Sequence, residues 1–157
     1  GPGTGRIARW ANKFASTMYL ADYSAYACDL LRQHFPEAVV IQTTDCKLDG
    51  IPNESLDILY STGVFGHLFE EQVYRFLSQA FQKLKAGGAI SIHFIDVRGD
   101  PPLFLENMPE KVDTQRTIFR FLHPDYAKFF AEQVGFVGIK ILPLVERHYF
   151  MQASKPR

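Results

Sequence analysis

Glycine occupies every second position at the start of the chain, in Gly1-Pro2-Gly3-Thr4-Gly5. This spacing lets the backbone pass close to a nucleotide-like ligand, because glycine has no Cβ to block the approach. In open α/β folds such a loop joins a strand to a helix, and the ligand lies outside the carboxyl ends of the parallel strands. The loop therefore predicts contacts to a nucleotide-like ligand from Gly1, Gly3, Thr4 and Gly5.

Two carboxylates follow the next predicted strands. Asp22, with Tyr23 beside it, ends one strand, and its carboxylate is placed to accept both hydroxyl hydrogens of a ribose. Asp45 follows the next strand and offers a second carboxylate, while the backbone N–H of Cys46 suits an adenine edge. The two acids have structural alternatives, Asp22 as a helix cap and Asp45 as a solvated turn residue. Cys46 is expected to be a small buried filler with a useful backbone amide rather than a reactive thiol.

A third strand end carries small residues, Ser61-Thr62-Gly63, which suit close approach by a ligand tail. Two titratable groups near strand ends, His67 and Asp96, are weak candidates for catalysis. A helix-start or packing role competes for His67, and solvent exposure competes for Asp96. His93 lies within a strand and is predicted to be a hydrogen-bonded core residue. We therefore leave the catalytic residue unassigned.

Hydrophobic periodicity supplies the elements that must position these groups. Helical spacing predicts helices at 5–15, 24–35, 70–85 and 124–134, with Pro124 at a first helical position and Gly135 at a helix end. Short apolar runs predict strands at 17–21, 39–41, 56–61, 89–95, 136–142 and 145–153. The order predicts an α/β fold: a doubly wound, mostly parallel sheet in a three-layer α/β/α arrangement, closed by an antiparallel hairpin that turns at Pro143-Leu144.

Composition bounds the function. The chain has 157 residues, 46% of them hydrophobic, which predicts one domain over 1–157 with a sizeable core. Lys+Arg and Asp+Glu both total 17, so net charge suggests no nucleic-acid or membrane partner. The two cysteines form no CxxC or Cys/His cluster, which favours the reducing cytoplasm and disfavours a structural zinc site. No apolar run approaches the roughly 20 residues of a membrane span.

Together the motifs resemble those of the class I S-adenosylmethionine-dependent methyltransferases. The loop GPGTGR is similar to their cofactor motif, Asp22 to the ribose-binding acid and Asp45 to the acid beside the adenine amine. The segment 45–68 resembles the family's connection between its third and fourth strands, and 85–88 and 135–136 also match. The resemblance implies a Rossmann-like fold, S-adenosylmethionine as cofactor and methyl transfer by direct displacement, without a metal or a covalent enzyme intermediate.

The chain departs from the family pattern in front of the loop. Members have a central strand there that ends in an acidic residue, so the resemblance predicts that this chain is an N-terminally truncated fragment. Residues 97–122 lack periodicity and are expected to be a lid-like insertion. We expect acceptor recognition there, in an amphipathic pocket that uses Phe104, Arg116, Phe119, Arg120 and Phe121. A small-molecule acceptor is favoured, and a protein acceptor is also compatible.

Two other functions remain open. An NAD-dependent oxidoreductase also uses a glycine loop and an acid after the second strand, but its fingerprint requires glycine or alanine where this chain has Arg6. A non-catalytic, methyltransferase-like module that binds a partner would carry the same fold without the reaction. Differential stabilisation by S-adenosylhomocysteine and NAD separates the first of these from a methyltransferase.

Overall fold

The computed structural model describes residues 1–96, 122–145 and 147–157. Its helices are α1 (Ala8–Ala11), α2 (Ala25–His34), α3 (Glu70–Lys83) and α4 (Pro124–Val134), with a 3-10 helix at Phe65–His67. Its strands are β1 (Tyr19–Asp22), β2 (Val39–Gln42), β3 (Leu56–Ser61), β4 (Leu84–Ile95), β5 (Val137–Val145) and β6 (His148–Ser154). The predicted insertion, apart from Leu122, lies outside the described residues, together with its proposed pocket.

The described strands form two sheets. β1 pairs in parallel with β2, and a second sheet has the order β3-β4-β6-β5. Within the second sheet β3 and β4 are parallel, whereas β6 runs antiparallel to both β4 and β5. The predicted fold class is confirmed: parallel strands linked by helices are closed by a C-terminal antiparallel hairpin.

Local signals in the sequence explain where the helices begin and end. The Ser24 hydroxyl accepts the N–H of Ala27 at 3.3 Å and caps α2. Pro124 begins α4, and Gly135 ends it in the left-handed region at φ 107°. These positions agree with the prediction, because the cap residues act through their immediate neighbours.

Two hydrophobic clusters hold the sheets. Leu20 of β1 packs in the smaller cluster with α1 and α2, whereas its neighbours Tyr19 and Ala21 pack against the larger one. The larger cluster joins α3 and α4 to the second sheet through residues such as Leu77 and Ile92. Because both faces of β1 are covered, the strand end that carries Asp22 is fixed from two sides.

The main differences from the predicted boundaries lie at three places in the chain. Helix α3 ends at Lys83, and β4 already begins at Leu84, which is fully buried opposite Leu56. The glycine pair at 87–88 lies inside this strand, where its register with β3 shifts, and Gly87 N–H bonds to the carbonyl of Lys155 at 3.0 Å. Helix α1 is shorter than 5–15, and Pro143 lies in edge strand β5 rather than in the hairpin turn.

Candidate functional site

The glycine-rich loop is attached to the end of β1 by its backbone. Gly3 N–H donates to Asp22 Oδ2 at 2.9 Å, and the nitrogen of Gly1 donates to the carbonyl of Ala21 at 2.6 Å. The other carboxylate oxygen of Asp22 accepts Ser24 N–H at 3.0 Å. Asp22, which is 9% exposed, therefore also fixes the start of α2. Asp22 thus has the helix-start role that we considered as an alternative. Each carboxylate oxygen has a second lone pair, which leaves capacity for further donors.

The same loop lies against the turn after β3. A Cβ built on Gly1 would be only 2.2 Å from Val64 Cγ2, so only glycine allows this close approach. Gly5 is buried at φ 88°, and a Cβ there would lie 2.5 Å from the ring of Phe35. Gly1 therefore lies between the ends of β1 and β3, where the sequence places the ligand.

Two glycine turns and one hydroxyl give this region unused space and hydrogen-bonding capacity. Gly3 and Gly63 both have positive φ, 55° and 70°, and a Cβ on either would have no other atom within 4 Å. Ser61 Oγ is buried and has no hydrogen-bond partner in the described part of the chain. A buried hydroxyl without a partner is unfavourable, so its presence calls for an explanation such as a bound ligand.

Asp45 lies in a strained turn after β2. Asp45 and Cys46 adopt left-handed φ values of 53° and 58°, which non-glycine residues rarely do. The Asp45 carboxylate forms an ion pair with Arg75 of α3, which the sequence did not predict. Burial raises the pKa of the Cys46 thiol, Asp45 raises it further, and Arg75 acts in the opposite direction. A protonated thiol agrees with the prediction that Cys46 is not a nucleophile.

The remaining predicted residues are dispersed around these strand ends. Thr4 and Tyr23 are exposed, and Thr62 is half-buried. His67 is exposed at the end of the 3-10 helix. Asp96 is only 2% exposed, so the solvent-exposed alternative for it is wrong. Its N–H bonds to the carbonyl of Arg147 at 2.9 Å, because the hairpin folds back beside the end of β4.

A histidine pair lies next to Gly63. His93 of β4 is 9% exposed, and its Nδ1 lies 3.3 Å from Gly63 N, while its Nε2 lies 2.8 Å from Nδ1 of His148 on β6. The prediction that His93 is a hydrogen-bonded core residue is confirmed. The partner was missed, because it is 55 positions away in the sequence and comes near only when β4 pairs with β6, with His93 opposite Phe150. The signal available in the sequence was His148, a second histidine in the last predicted strand.

Two other features bear on ligands. A pocket of about 600 Å³ lies along the outer side of α3 and against Phe130, and none of the predicted cofactor residues lines it. Among residues 1–96, 122–145 and 147–157, no group of three His, Cys, Asp or Glu side chains is arranged to hold a metal ion. The strand ends, rather than this pocket, carry the arrangement that suits a nucleotide-like cofactor.

Comparisons with known proteins agree with this arrangement. A family model described as a methyltransferase domain matches residues 1–92. A solved S-adenosylmethionine-dependent methyltransferase from Mesorhizobium loti has a TM-score of 0.80 at 18% identity, over 99% of this chain and 88% of that one. A possible histamine N-methyltransferase from Thermotoga maritima gives 0.72 at 19% identity, over 99% and 79%. No match was found among curated protein sequences.

The chain belongs to the methyltransferase domain family. Its fold is that of the class I S-adenosylmethionine-dependent methyltransferases, and S-adenosylmethionine is the cofactor that this class implies. A possible exported protein from Bordetella parapertussis shares the fold with a TM-score of 0.67 at 17% identity, over 90% of this chain. This chain spans only 54% of the length of that protein. No helix in the described part of this chain is long and apolar enough to cross a membrane.

Proposed function

We propose that this chain binds S-adenosylmethionine at the ends of β1, β2 and β3 and transfers its methyl group to a small-molecule acceptor. The observation that carries the proposal is the contact between Gly3 N–H and Asp22, which fixes an open glycine turn beside a buried carboxylate. When bound, the cofactor supplies a methyl carbon that is already activated by its sulfonium. The protein therefore needs chiefly to hold donor and acceptor in line and exclude water.

Each predicted cofactor residue has a role in this proposal. The unused lone pairs of Asp22 accept the ribose hydroxyls, with Tyr23 beside the sugar. The backbone of Gly1, Gly3, Thr4 and Gly5 approaches the cofactor at close range. Asp45 and the N–H of Cys46 contact the adenine edge, and for this Asp45 must share its carboxylate with Arg75.

The turn after β3 completes the proposed cofactor site. Ser61 Oγ, which lacks a partner among the described residues, donates to the cofactor tail, and Thr62 and Gly63 allow its close approach. A general base is required only if the acceptor still carries its proton when it attacks. His67 and Asp96 remain the candidates for that role.

The proposed acceptor class follows from charge and from a structural neighbour. The zero net charge of the chain favours a small molecule over nucleic acid or an anionic membrane surface, whereas a protein acceptor is equally compatible with it. The Thermotoga maritima neighbour is described as a possible histamine N-methyltransferase, and histamine is a small amine. Both cysteines are free, which supports a cytoplasmic location for this chain.

The test is a comparison of ligand-dependent thermal stabilisation. S-adenosylhomocysteine should raise the melting temperature and NAD should not, because a ligand stabilises only the protein that binds it. Asp22→Ala should abolish the shift, whereas Asp29→Ala, in an exposed ion pair with Arg32, should retain it. Stabilisation by NAD alone would support the oxidoreductase, and an unchanged shift in Asp22→Ala would refute the proposed site.

Methyl transfer itself needs a second assay. Labelled S-adenosylmethionine should pass its methyl group to members of a small-amine and small-hydroxyl panel in the presence of the wild-type chain but not of Asp22→Ala. Cofactor binding without transfer to small molecules or protein extracts would favour the non-catalytic module.

A further inference from the structure

His93 and His148 form a hydrogen-bonded pair beside the turn that carries Gly63. Gly63 N–H lies 3.3 Å from His93 Nδ1, and a backbone amide can only donate. His93 Nδ1 must therefore be the unprotonated nitrogen, and its proton lies on Nε2. That proton is donated to His148 Nδ1 at 2.8 Å, so the Gly63 amide assigns the tautomer of both rings.

The pair in this arrangement has no free lone pair for another proton. His93 Nδ1 is used by Gly63, His148 Nδ1 is used by His93, and His148 Nε2 already carries a hydrogen. Any additional proton must break either the bond to Gly63 or the bond between the two rings. The pair is therefore poorly suited to act as a base and well suited to hold the Gly63 turn while it is neutral.

The surroundings also favour the neutral state. Burial lowers the pKa of His93, and the charge of His148 lowers it further. The ring of Phe150 packs against His93 at 5.5 Å and against Tyr60 of β3 at 6.1 Å. Among the described residues, His148 of β6 contacts His93 directly, and Tyr60 of β3 packs against the same Phe150 ring. The charged residues nearest in sequence to these strand ends are Asp96, which follows β4, and Arg147, which precedes β6.

We propose that His93, supported by His148, is a positioning residue for the Ser61–Gly63 turn of the cofactor site, and that protonation of His93 at Nδ1 releases this turn and weakens cofactor binding. The coupling rests on the proposed function, because it requires the turn to contact S-adenosylmethionine. The hydrogen bond between Gly63 and His93 does not depend on the proposed function. By linkage, cofactor binding must in turn make the pair harder to protonate.

The first test examines the pair in the free protein. Nitrogen-15 NMR of the imidazoles should show His93 protonated on Nε2 at about pH 7.5, and its titration midpoint should lie below the ordinary value of about 6.5. The Gly63 amide resonance should shift with the same midpoint and should stay constant in His93→Asn, whose side-chain oxygen accepts the amide but does not titrate. An Nδ1–H tautomer, or a Gly63 amide that ignores the titration, would overturn the proposal.

The second test measures the affinity for S-adenosylhomocysteine by calorimetry. Between about pH 7.5 and about pH 5.5, we expect wild-type affinity to fall about three- to tenfold, as for the loss of one neutral hydrogen bond. His93→Asn should bind like wild type at the higher pH with a flatter profile. His34→Gln, at an exposed histidine at the end of α2, should retain the wild-type profile. If His93→Asn does not fold, His148→Asn, which retains an acceptor for His93, replaces it and should bind like wild type at the higher pH.

The outcomes separate the two claims. A pH profile as steep in His93→Asn as in wild type, or a flat wild-type profile, overturns the coupling while leaving the proposed function intact. Absence of S-adenosylhomocysteine binding at every pH overturns the proposed function and the coupling with it, even where the NMR titration confirms the histidine pair.

Discussion

The turn at Gly3 and the turn at Gly63 are fixed by the same kind of contact, from acceptors of different charge. In each, a glycine with positive φ donates its amide to a buried side chain, at 2.9 Å to Asp22 and at 3.3 Å to His93. The carboxylate holds its turn together with the start of α2, whereas the imidazole depends on a second histidine. We therefore expect the turn that His93 holds to respond to mild acid.

Placing the same neutral amide in both turns should have the largest effect at Asp22. Asp22→Asn keeps one acceptor oxygen for the two backbone N–H donors and turns its NH₂ group toward the second donor. We therefore expect a loss of about 3 kcal/mol in unfolding free energy. His93→Asn should cost less than about 1 kcal/mol at neutral pH, because its acceptor survives. Urea unfolding of both variants measures this difference, and equal losses would refute the comparison.

The next largest effect should be a difference in stability between alanine substitutions at two glycines of the opening loop. Gly5→Ala combines left-handed backbone with a Cβ 2.5 Å from Phe35 and should cost about 2–4 kcal/mol. Gly3→Ala meets open space and should cost about 1–2 kcal/mol from its backbone alone. Thermal unfolding tests the ranking, which a larger loss in Gly3→Ala would reverse.

The pH dependence of the unfolding free energy should be a third difference between the Gly3 and Gly63 turns. Because the pKa of His93 is lowered in the folded state, the unfolded chain binds its proton first as pH falls. Its contribution is full above the ordinary value of about 6.5 and is lost as pH falls toward the lowered pKa. We expect this loss, about 0.5–1.5 kcal/mol, in wild type but not in His93→Asn. Urea midpoints over that range measure it, and a matching loss in His93→Asn would contradict the assignment.

Ser61→Ala should affect binding rather than folding. The buried hydroxyl has no partner in the described chain, so its removal should leave unfolding free energy within about 0.5 kcal/mol of wild type or increase it. The affinity for S-adenosylhomocysteine should fall about three- to tenfold, if the hydroxyl donates to the cofactor as proposed. A clear drop in stability without ligand would show instead that Ser61 serves the fold.

The smallest effect is expected at Asp45. Its ion pair with Arg75 is about half exposed on both sides, with side-chain exposures of 52% and 45%, and such pairs contribute about 0–1 kcal/mol. Asp45→Asn should therefore change stability by less than about 1 kcal/mol, and the change should shrink further in high salt. A larger loss would indicate that the strained turn depends on the carboxylate.

The sequence predicted those parts that local chemistry decides. Strand β3 begins and ends as the apolar run indicated, and Ser24, Pro124 and Gly135 bound their helices as capping residues do. Asp22 was found because its position after a strand follows from periodicity. Its contact with the Gly3 amide was not, since the loop approaches Asp22 only in the folded chain.

What the sequence could not predict depends on contacts between distant segments. The start of β4 at Leu84 depends on pairing with Leu56, and Gly87 within β4 bonds to Lys155 near the end of the chain. The ion pair between Asp45 and Arg75 and the pair of His93 with His148 join residues 30 and 55 positions apart. Periodicity within one element carries no information about such pairs.

The most direct test of the proposed site is an amide NMR titration of the wild-type chain with S-adenosylhomocysteine. We expect the largest shifts at Gly3, Gly63 and Cys46, whose amides lie in the three turns assigned to the cofactor. NAD at the same concentrations should leave them unchanged. Saturable shifts confined to α3 and Phe130, which line the pocket outside the proposed site, would contradict the site. Shifts induced by NAD alone would contradict S-adenosylmethionine as the cofactor.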